Sequence, residues 1–333
     1  MEAIPETILN TIRQAEQVVL LTHVHPDGDA LGSALALRDI LESIDKKTLV
    51  FLEEQVSFLY TFMPGSDRIC TDLGEVRKFA AACRAGSLLL VSLDVGDKNR
   101  LGKYQDELTA LAPLLVIDHH LPHHEFGDYR LIEVGISSTG EMVYELALAL
   151  RATVTLPAAK NLFVAICSDT GSFRYDSTKP RTMRIAADLL ELGVHPDEIA
   201  TALYANASMP RLRLLKEVLN TLQLHAEGRV ALAHLEGAML HRARAEMDDS
   251  EGFVEYPRSL HTVEVAIFFK EHQDGQVSVS LRSKHNFDVS EVARIFGGGG
   301  HRKAAGCRFY GENLAVVRQR VLEAINARLT AAN

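Results

Sequence analysis

Residues 23 to 30 read His-Val-His-Pro-Asp-Gly-Asp-Ala, directly after the apolar run "VVLL". A single Asp there would cap the next helix. Two aspartates around Gly28, with His23 and His25 upstream, ask for a stronger explanation. Similar polar groups close other apolar segments: Asp94 after "SLLLVSL", Asp118-His119-His120 after "PLLVI", and Asp169 in "AICSDTGSF". In parallel α/β sheets, ligands gather where strands end at their carboxyl edge. Taken alone, Asp169 reads better as a helix cap, and a lone His is commonly a satisfied polar residue. Taken jointly, the residues read as a site. Five carboxylates at one partly dry edge would repel, and several would have to bind protons; bound dications remove that conflict. Carboxylate oxygens and imidazoles without a thiolate suit Mn²⁺, and less specifically Mg²⁺ or Co²⁺. Two ions about 3.5–4 Å apart sharing a bridging carboxylate is an arrangement used by many phosphoesterases.

The elements that must position these groups follow from the pattern. Apolar strands at 18–22, 47–52, 87–93 and 113–117 alternate with helical periodicity, as in "DALGSALALRDILESI". A further strand, "YRLIEV", precedes helices near 138–151 and 156–168. This predicts an α/β unit with a mostly parallel sheet flanked by helices. Ser138 and Glu141 have capping-box spacing. Gly28 serves the turn, and Gly32, Ser33 and Ala34 allow close helix–sheet packing. From about 180 to 221 the pattern is helical without a strand. After it come "RVALAHL", "TVEVAIFF" and the alternating "QVSVSLRS", then helical "VSEVARIF" before "GGGGH". The expected division is a catalytic metal-binding domain at 1–190, a helical linker at 191–222 and a smaller α+β substrate-binding domain at 223–333.

Composition bounds the function. The 333 residues are 47% hydrophobic, ordinary for a globular protein. No apolar run is long enough to span a bilayer, and the acidic N-terminal stretch does not resemble a signal peptide, so a cytoplasmic location without membrane partners is expected. The four cysteines are far apart and read as reduced core residues. A net charge of −9 argues against coating long nucleic acid, duplex included. It leaves room for a short anionic substrate in a local cationic pocket.

The motifs "HVHPDGDALGS", "SLD", "DHH", "SDTGSF" and "GGGGHRKAAG" together resemble the series of the DHH phosphoesterase superfamily, the last being similar to its DHHA1-type C-terminal domain. Their order and spacing resemble the NrnA-type group of bifunctional oligoribonucleases and 3′-phosphoadenosine 5′-phosphate (pAp) phosphatases. The resemblance covers nearly the whole chain. It implies two Mn²⁺ ions, with Mg²⁺ or Co²⁺ as substitutes: one held by His23, Asp27 and Asp94, the other by Asp29, Asp94, His119 and Asp169, with Asp94 bridging. The family's ligand histidine stands four residues before the first Asp, which selects His23 and leaves His25 a neighbour. The resemblance also implies that His120 stands near the scissile phosphate as a proton source. Asp118 reads as a support behind the ligands, since metal-bound imidazoles commonly donate their other N–H to a carboxylate. His123 and His124 read as a solvated loop.

The substrate side lies in the C-terminal segment, where basic residues cluster around few acids. Glycines alone would read as a flexible loop; followed by His301, Arg302 and Lys303, and matching the family motif, Gly299 and Gly300 read as backbone donors to a phosphate. Arg282 and His301 are the leading substrate contacts, with Arg258, Arg302, Lys303 and, after the bridging Asp, Arg100 as further ones. Catalysis is expected in a cleft between the domains. Phe253, Tyr256 and Phe287 are candidates for stacking a base, although core packing is the commoner fate of each. The expected substrates are short RNA oligonucleotides and nucleotide bisphosphates. The rivals are linear dinucleotides such as pApA or pGpG, the single-stranded substrates of a RecJ-like exonuclease, pyrophosphate, and a non-catalytic nucleotide sensor. A homodimer is compatible with this reading.

Overall fold

The computed structural model describes residues 4–121 and 125–331. His123 and His124 lie outside the described residues. The chain divides into two compact units, Met1–Ala205 and Asn206–Asn333.

The first unit begins with α1 (Glu6–Gln14), β1 (Gln17–Leu21), α2 (Gly28–Glu42) and β2 (Lys47–Phe51). α3 (Leu73–Ala81), β3 (Leu88–Leu93), α4 (Gln105–Thr109), β4 (Leu114–Asp118) and β5 (Tyr129–Ile132) follow. α5 (Thr139–Leu150), α6 (Leu156–Asp169), α7 (Pro180–Glu191) and α8 (Pro196–Tyr204) complete it. The five strands are all parallel, in the order β2-β1-β3-β4-β5. Sequence-adjacent β1 and β2 lie beside each other while the chain crosses back to β3, so the carboxyl ends of β1, β3 and β4 are neighbours. Alternating side chains serve two layers, as a sheet covered on both faces requires. Val18 and Leu20 pack in the core with α2, α5, α6 and α7, whereas Val19 and Leu21 face the one built with α3 and α4.

The helices over the site meet on small residues. A Cβ added at Gly32 would lie 2.5 Å from the Asn161 carbonyl oxygen and 2.9 Å from the Ala165 Cβ. One added at Gly140 would lie 2.5 Å from the same Ala165 Cβ. Gly32 of α2 therefore serves close helix–helix packing against α6, in place of the expected helix–sheet contact. Ser138 caps α5 by accepting from the Glu141 N–H. The Glu141 carboxylate does not complete a capping box; it accepts from the Ser137 and Thr182 hydroxyls.

The second unit holds α9 (Met209–Leu219), β6 (Gln223–His225), β7 (Val230–Leu235), α10 (Gly237–Ala243) and α11 (Glu255–Ser259). β8 (Val265–Glu271), β9 (Val277–Ser283), α12 (Val289–Ile295), β10 (Gly299–His301), β11 (Ala304–Phe309) and α13 (Leu314–Ala331) follow. Its six-stranded sheet has the order β10-β11-β9-β8-β7-β6, antiparallel except for β7 with β8. α12 and α13 cover one face, and α9, α10 and the region of α11 cover the other. The 191–222 stretch expected as a linker is shared: α8 falls in the first unit and α9 in the second. Cys167 and Cys307 are buried, while Cys70 and Cys83 are only partly so; all four are free thiols.

Candidate metal centre

The turn after β1 explains the opening motif. Asp27 caps α2, its Oδ1 accepting from the Asp29 and Ala30 N–H groups at 3.0 and 3.1 Å. Gly28 leads the helix with little clearance, a Cβ there meeting Ser168 at 3.0 Å. Asp29, one residue on, is fully buried. The capping reading of Asp27 thus holds alongside its place in the site. His25, with φ 53°, is exposed and pairs with Glu54 at 3.2 Å, apart from these clusters.

Asp94 follows β3 with a left-handed backbone, φ 63°, a conformation costly for a residue with a Cβ and frequent where a side chain must be aimed. Its two oxygens face two groups. Oδ2 lies 3.6 Å from His23 Nε2. Oδ1 lies 3.4 Å from His119 Nε2 and 3.4 Å from His120 Nδ1. His119 Nε2 is also 3.6 Å from Asp29 Oδ2 and 3.1 Å from Asp169 Oδ2. Ligand atoms of His23, Asp27 and Asp94 converge within 4.8 Å of one another, as do those of Asp29, Asp94 and His119, and those of Asp94, Asp118 and His120.

Asp169 reaches the site differently from a strand-end cap. It is the last residue of α6, where the helix dipole disfavours a carboxylate, and the His119 contact offsets that cost. Gly171, Ser172 and Phe173 then adopt three consecutive positive φ values, turning the chain sharply after it.

The supports behind the imidazoles also differ from expectation. His23 Nδ1 lies 2.9 Å from the Val24 carbonyl oxygen and His119 Nδ1 3.3 Å from that of Ile136. Asp118 instead engages His120, Oδ1 to Nδ1, at 2.8 Å. The histidines of the two first groups are thus steadied by main-chain oxygens, and Asp118 holds the third histidine. Sequence reasoning missed Ser33, Thr139 and Gly140. The Ser33 hydroxyl and the Gly140 N–H donate to Asp29 Oδ1 at 3.1 and 2.9 Å. The Thr139 N–H donates to Asp29 Oδ2 at 2.7 Å, and its hydroxyl donates to Asp94 Oδ1 at 3.1 Å. The "SSTG" run that leads into α5 was the available signal; only its helix cap is legible without the fold.

Electrostatics test the fit to cations. Burial raises the Asp29 carboxyl well above its ordinary range, and the Asp94 and Asp169 charges push it further. Asp27 is raised by desolvation and by Asp94. Burial acts on Asp94 in the same sense, but His120, His119 and His23 outweigh it and hold Asp94 well below the usual carboxylate range. Burial lowers His119, yet Asp169 and Asp94 overcome it and place the imidazole well above its ordinary value. His120 is likewise raised, Asp94 and Asp118 outweighing desolvation. Protein groups alone satisfy this cluster only by storing protons on it. Oxygen and imidazole donors at these separations fit the binding of divalent cations, which would displace those protons.

The second unit gathers a cationic group of its own. Glu255 Oε2 pairs with Arg258 at 2.6 Å and its Oε1 with Arg282 at 3.3 Å. Lys284 donates to the Leu260 carbonyl at 2.6 Å, and its pKa is lowered by desolvation and by Arg258. Arg302 donates to the Asn286 carbonyl oxygen. The second half of the glycine run forms a short strand, while Gly297 and Gly298 make the turn that leads into it. Gly299, Gly300 and His301 pair with Gly306, Ala305 and Ala304. Gly300 has φ 130°, and a Cβ there would lie 2.5 Å from the Ala304 carbonyl oxygen, so close strand pairing by itself calls for glycine. Phe253 is buried and Phe287 packs against the core, leaving Tyr256, 43% exposed, as the accessible one of the three aromatics. Arg100 is exposed on the turn after Asp94.

Comparison with known proteins accords with this geometry. The model of the DHH family N-terminal domain matches residues 17–168, and that of the DHHA1 domain matches 229–329. The bifunctional oligoribonuclease and PAP phosphatase NrnA of Thermus thermophilus is 32% identical over 315 residues, 95% of this chain and 91% of that protein. The chain belongs to the DHH/DHHA1 phosphoesterases. The Bacillus subtilis NrnA is 26% identical over 91% of this DHH/DHHA1 chain and 92% of the relative. A crystal structure of an exopolyphosphatase-related protein from Bacteroides fragilis superposes with TM-score 0.86 at 28% identity, covering 97% and 98% of the two chains. The Mn²⁺ complex of RecJ from Thermus thermophilus, at TM-score 0.56 and 16% identity, shares the fold; the match covers 97% of this chain and 54% of RecJ. This DHH/DHHA1 phosphoesterase has buried His/Asp clusters of metal-site type. No helix among its described residues is long and apolar enough to cross a membrane.

Proposed function

We propose that this protein is a manganese-dependent hydrolase of short oligoribonucleotides that also converts pAp to AMP and phosphate. The observation that carries the chemistry is the Asp94 carboxylate, with one oxygen toward His23 and the other toward His119. The substrate reading is supported by similarity to oligoribonuclease and PAP phosphatase relatives over nearly their whole length.

In this reading His23, Asp27 and Asp94 hold one ion, and Asp29, Asp94, His119 and Asp169 hold the other. When bound, the ions supply positive charge at the phosphoryl oxygens and make water a competent nucleophile at neutral pH. Asp94 sets the spacing between the two ligand groups. His120, engaged at Nδ1 by Asp118, carries the proton for the leaving oxygen at Nε2. Arg100, Arg258, Arg282, His301, Arg302 and Lys303 supply cationic and hydrogen-bonding contacts to substrate phosphates, and Gly299 and Gly300 supply backbone N–H groups. The catalytic part is assigned to the DHH region and the substrate-binding part to the DHHA1 region.

The test is a side-by-side rate comparison with Mn²⁺. The substrates are an RNA length ladder, pAp, pApA, pGpG, single-stranded DNA, pyrophosphate and polyphosphate, the last because the Bacteroides fragilis protein is described as exopolyphosphatase-related. Dinucleotides, RNAs of a few residues and pAp are expected to turn over fastest. A clear preference for DNA, pyrophosphate or polyphosphate overturns the substrate assignment, and nucleotide binding without any hydrolysis overturns the enzymatic one.

A further inference from the structure

The first turn of α5 touches Asp29, which belongs to one ligand group, and the shared Asp94 only through the oxygen on that same side. It donates two backbone N–H groups to Asp29 and the Thr139 hydroxyl to Asp94 Oδ1. Asp27 is held by the start of its own helix, and His23 by the adjacent Val24 carbonyl oxygen. Asp94 Oδ1, the atom that takes the Thr139 hydroxyl, is the oxygen facing His119 rather than His23. Ser138, Thr139 and Gly140 are all buried. The turn is anchored from behind by Ser137 and Thr182, which donate to Glu141. Gly140 sits against Ala165 of α6, four residues before Asp169. The hydroxyl therefore comes from a fixed element.

We infer that Thr139 is a positioning residue that holds Asp94 Oδ1 toward the Asp29–His119–Asp169 side, and that its loss weakens the hold of this group on its ion more than that of the His23–Asp27–Asp94 group, which uses Oδ2. The inference rests on the dinuclear reading above. A carboxylate shared by two cations must present one oxygen to each, and free rotation of the Asp94 side chain would lose that division. The left-handed backbone at Asp94 aims the Cα–Cβ bond; the Thr139 hydroxyl joins His23, His119 and His120 in restraining the carboxylate and is the one neutral hydroxyl among them. Groups behind metal ligands tune affinity in this way, typically by about 10–100-fold.

The test is Mn²⁺ titration of the whole protein by calorimetry, with electron paramagnetic resonance to distinguish isolated from paired ions. The wild type is compared with Thr139→Val, which keeps the branched shape and the N–H but removes the hydroxyl, and with Thr139→Ser, which restores it. The wild type is expected to bind two ions. Thr139→Val is expected to bind the first as the wild type does and the second about 10–100-fold more weakly, with the paired-ion signal lost at low Mn²⁺. Thr139→Ser is expected to recover most of both. If Thr139→Val does not fold, Thr139→Ala is read by the same criteria. Two ions bound with wild-type affinity in the hydroxyl-less variant, or equal weakening of both ions, overturns the inference and leaves the dinuclear reading standing. A wild type that binds fewer than two ions overturns the dinuclear reading itself.

Discussion

Asp94 joins the ligand groups of the centre, facing His23, His119, His120 and Thr139 at once. Replacing it removes a ligand from both proposed ions together with the negative charge opposite three imidazoles. Asp94→Asn is expected to lower turnover of dinucleotide and pAp by about 1,000-fold or more, the factor corresponding to several kcal/mol of lost charge stabilisation. A variant that folds and retains turnover within tenfold of wild type would remove Asp94 from the mechanism. Protonation gives a second prediction at this scale. Asp29 and His119 are both raised well above their ordinary values, so the ion-free protein holds protons there that a bound cation must displace. Raising the pH empties these groups, so Mn²⁺ affinity is expected to increase with pH through their raised titration range, with protons released on binding. Calorimetry in buffers of different ionisation heat measures both, and a pH-independent affinity contradicts it. The ligand residue types were legible because each closes a recognisable segment. Which partner supports which ligand was not: Thr139 lies 45 residues from Asp94 and 110 from Asp29, a relation no local pattern carries.

At the scale of elements, the site depends on how closely α2, α5 and α6 approach one another. Gly32 faces the Asn161 carbonyl oxygen, and Gly140 shares Ala165 with it. Gly32→Ala would gain about 1 kcal/mol of helix propensity. Its Cβ would then stand 2.5 Å from a backbone oxygen that cannot rotate away, and overpacking of this kind costs about 1–3 kcal/mol. Because the helices must separate to relieve the contact, the upper end is expected: a net loss of about 1–2 kcal/mol in denaturant unfolding, with weakened Mn²⁺ binding as Asp29 moves relative to α5. Unchanged stability and unchanged metal affinity would show that α2 and α6 can separate without cost. The first-unit strands were legible because a doubly covered parallel sheet writes continuous apolar runs such as "QVVLL" and "LLLVSL". The register of helix against helix was not, since Gly32 has the same sequence signature whether it faces a strand or another helix. β6 and β10 are three residues each, too short for a period of two to declare itself. β10 was further concealed because its glycines resemble loop residues until the partner strand is seen.

At the scale of the whole chain, charge bears on the proposed preference for short substrates. The net charge is −9, and many cations of the second unit already have protein partners. Arg258 and Arg282 share Glu255, Lys284 and Arg302 bind main-chain oxygens, and Arg320 pairs with Glu312. The sequence window around 282–308 gave the cluster of basic residues, but it could not show that Glu255, 27 residues before Arg282, pairs with it and with Arg258. An extended cationic track would make binding energy grow with the number of phosphates contacted, and the salt dependence would steepen with RNA length. A locally neutralised group supports a short substrate only. For single strands the slope of log affinity against log salt is about −0.7 per phosphate neutralised, so engagement of two phosphates gives about −1.4. The expected outcome is a slope of log kcat/KM near that value for a dinucleotide, and no steeper for RNA many times longer, measured over a range of potassium chloride at saturating Mn²⁺. A slope that grows in proportion to RNA length would instead reveal a continuous phosphate-binding surface and overturn the charge argument for the proposed preference for short substrates.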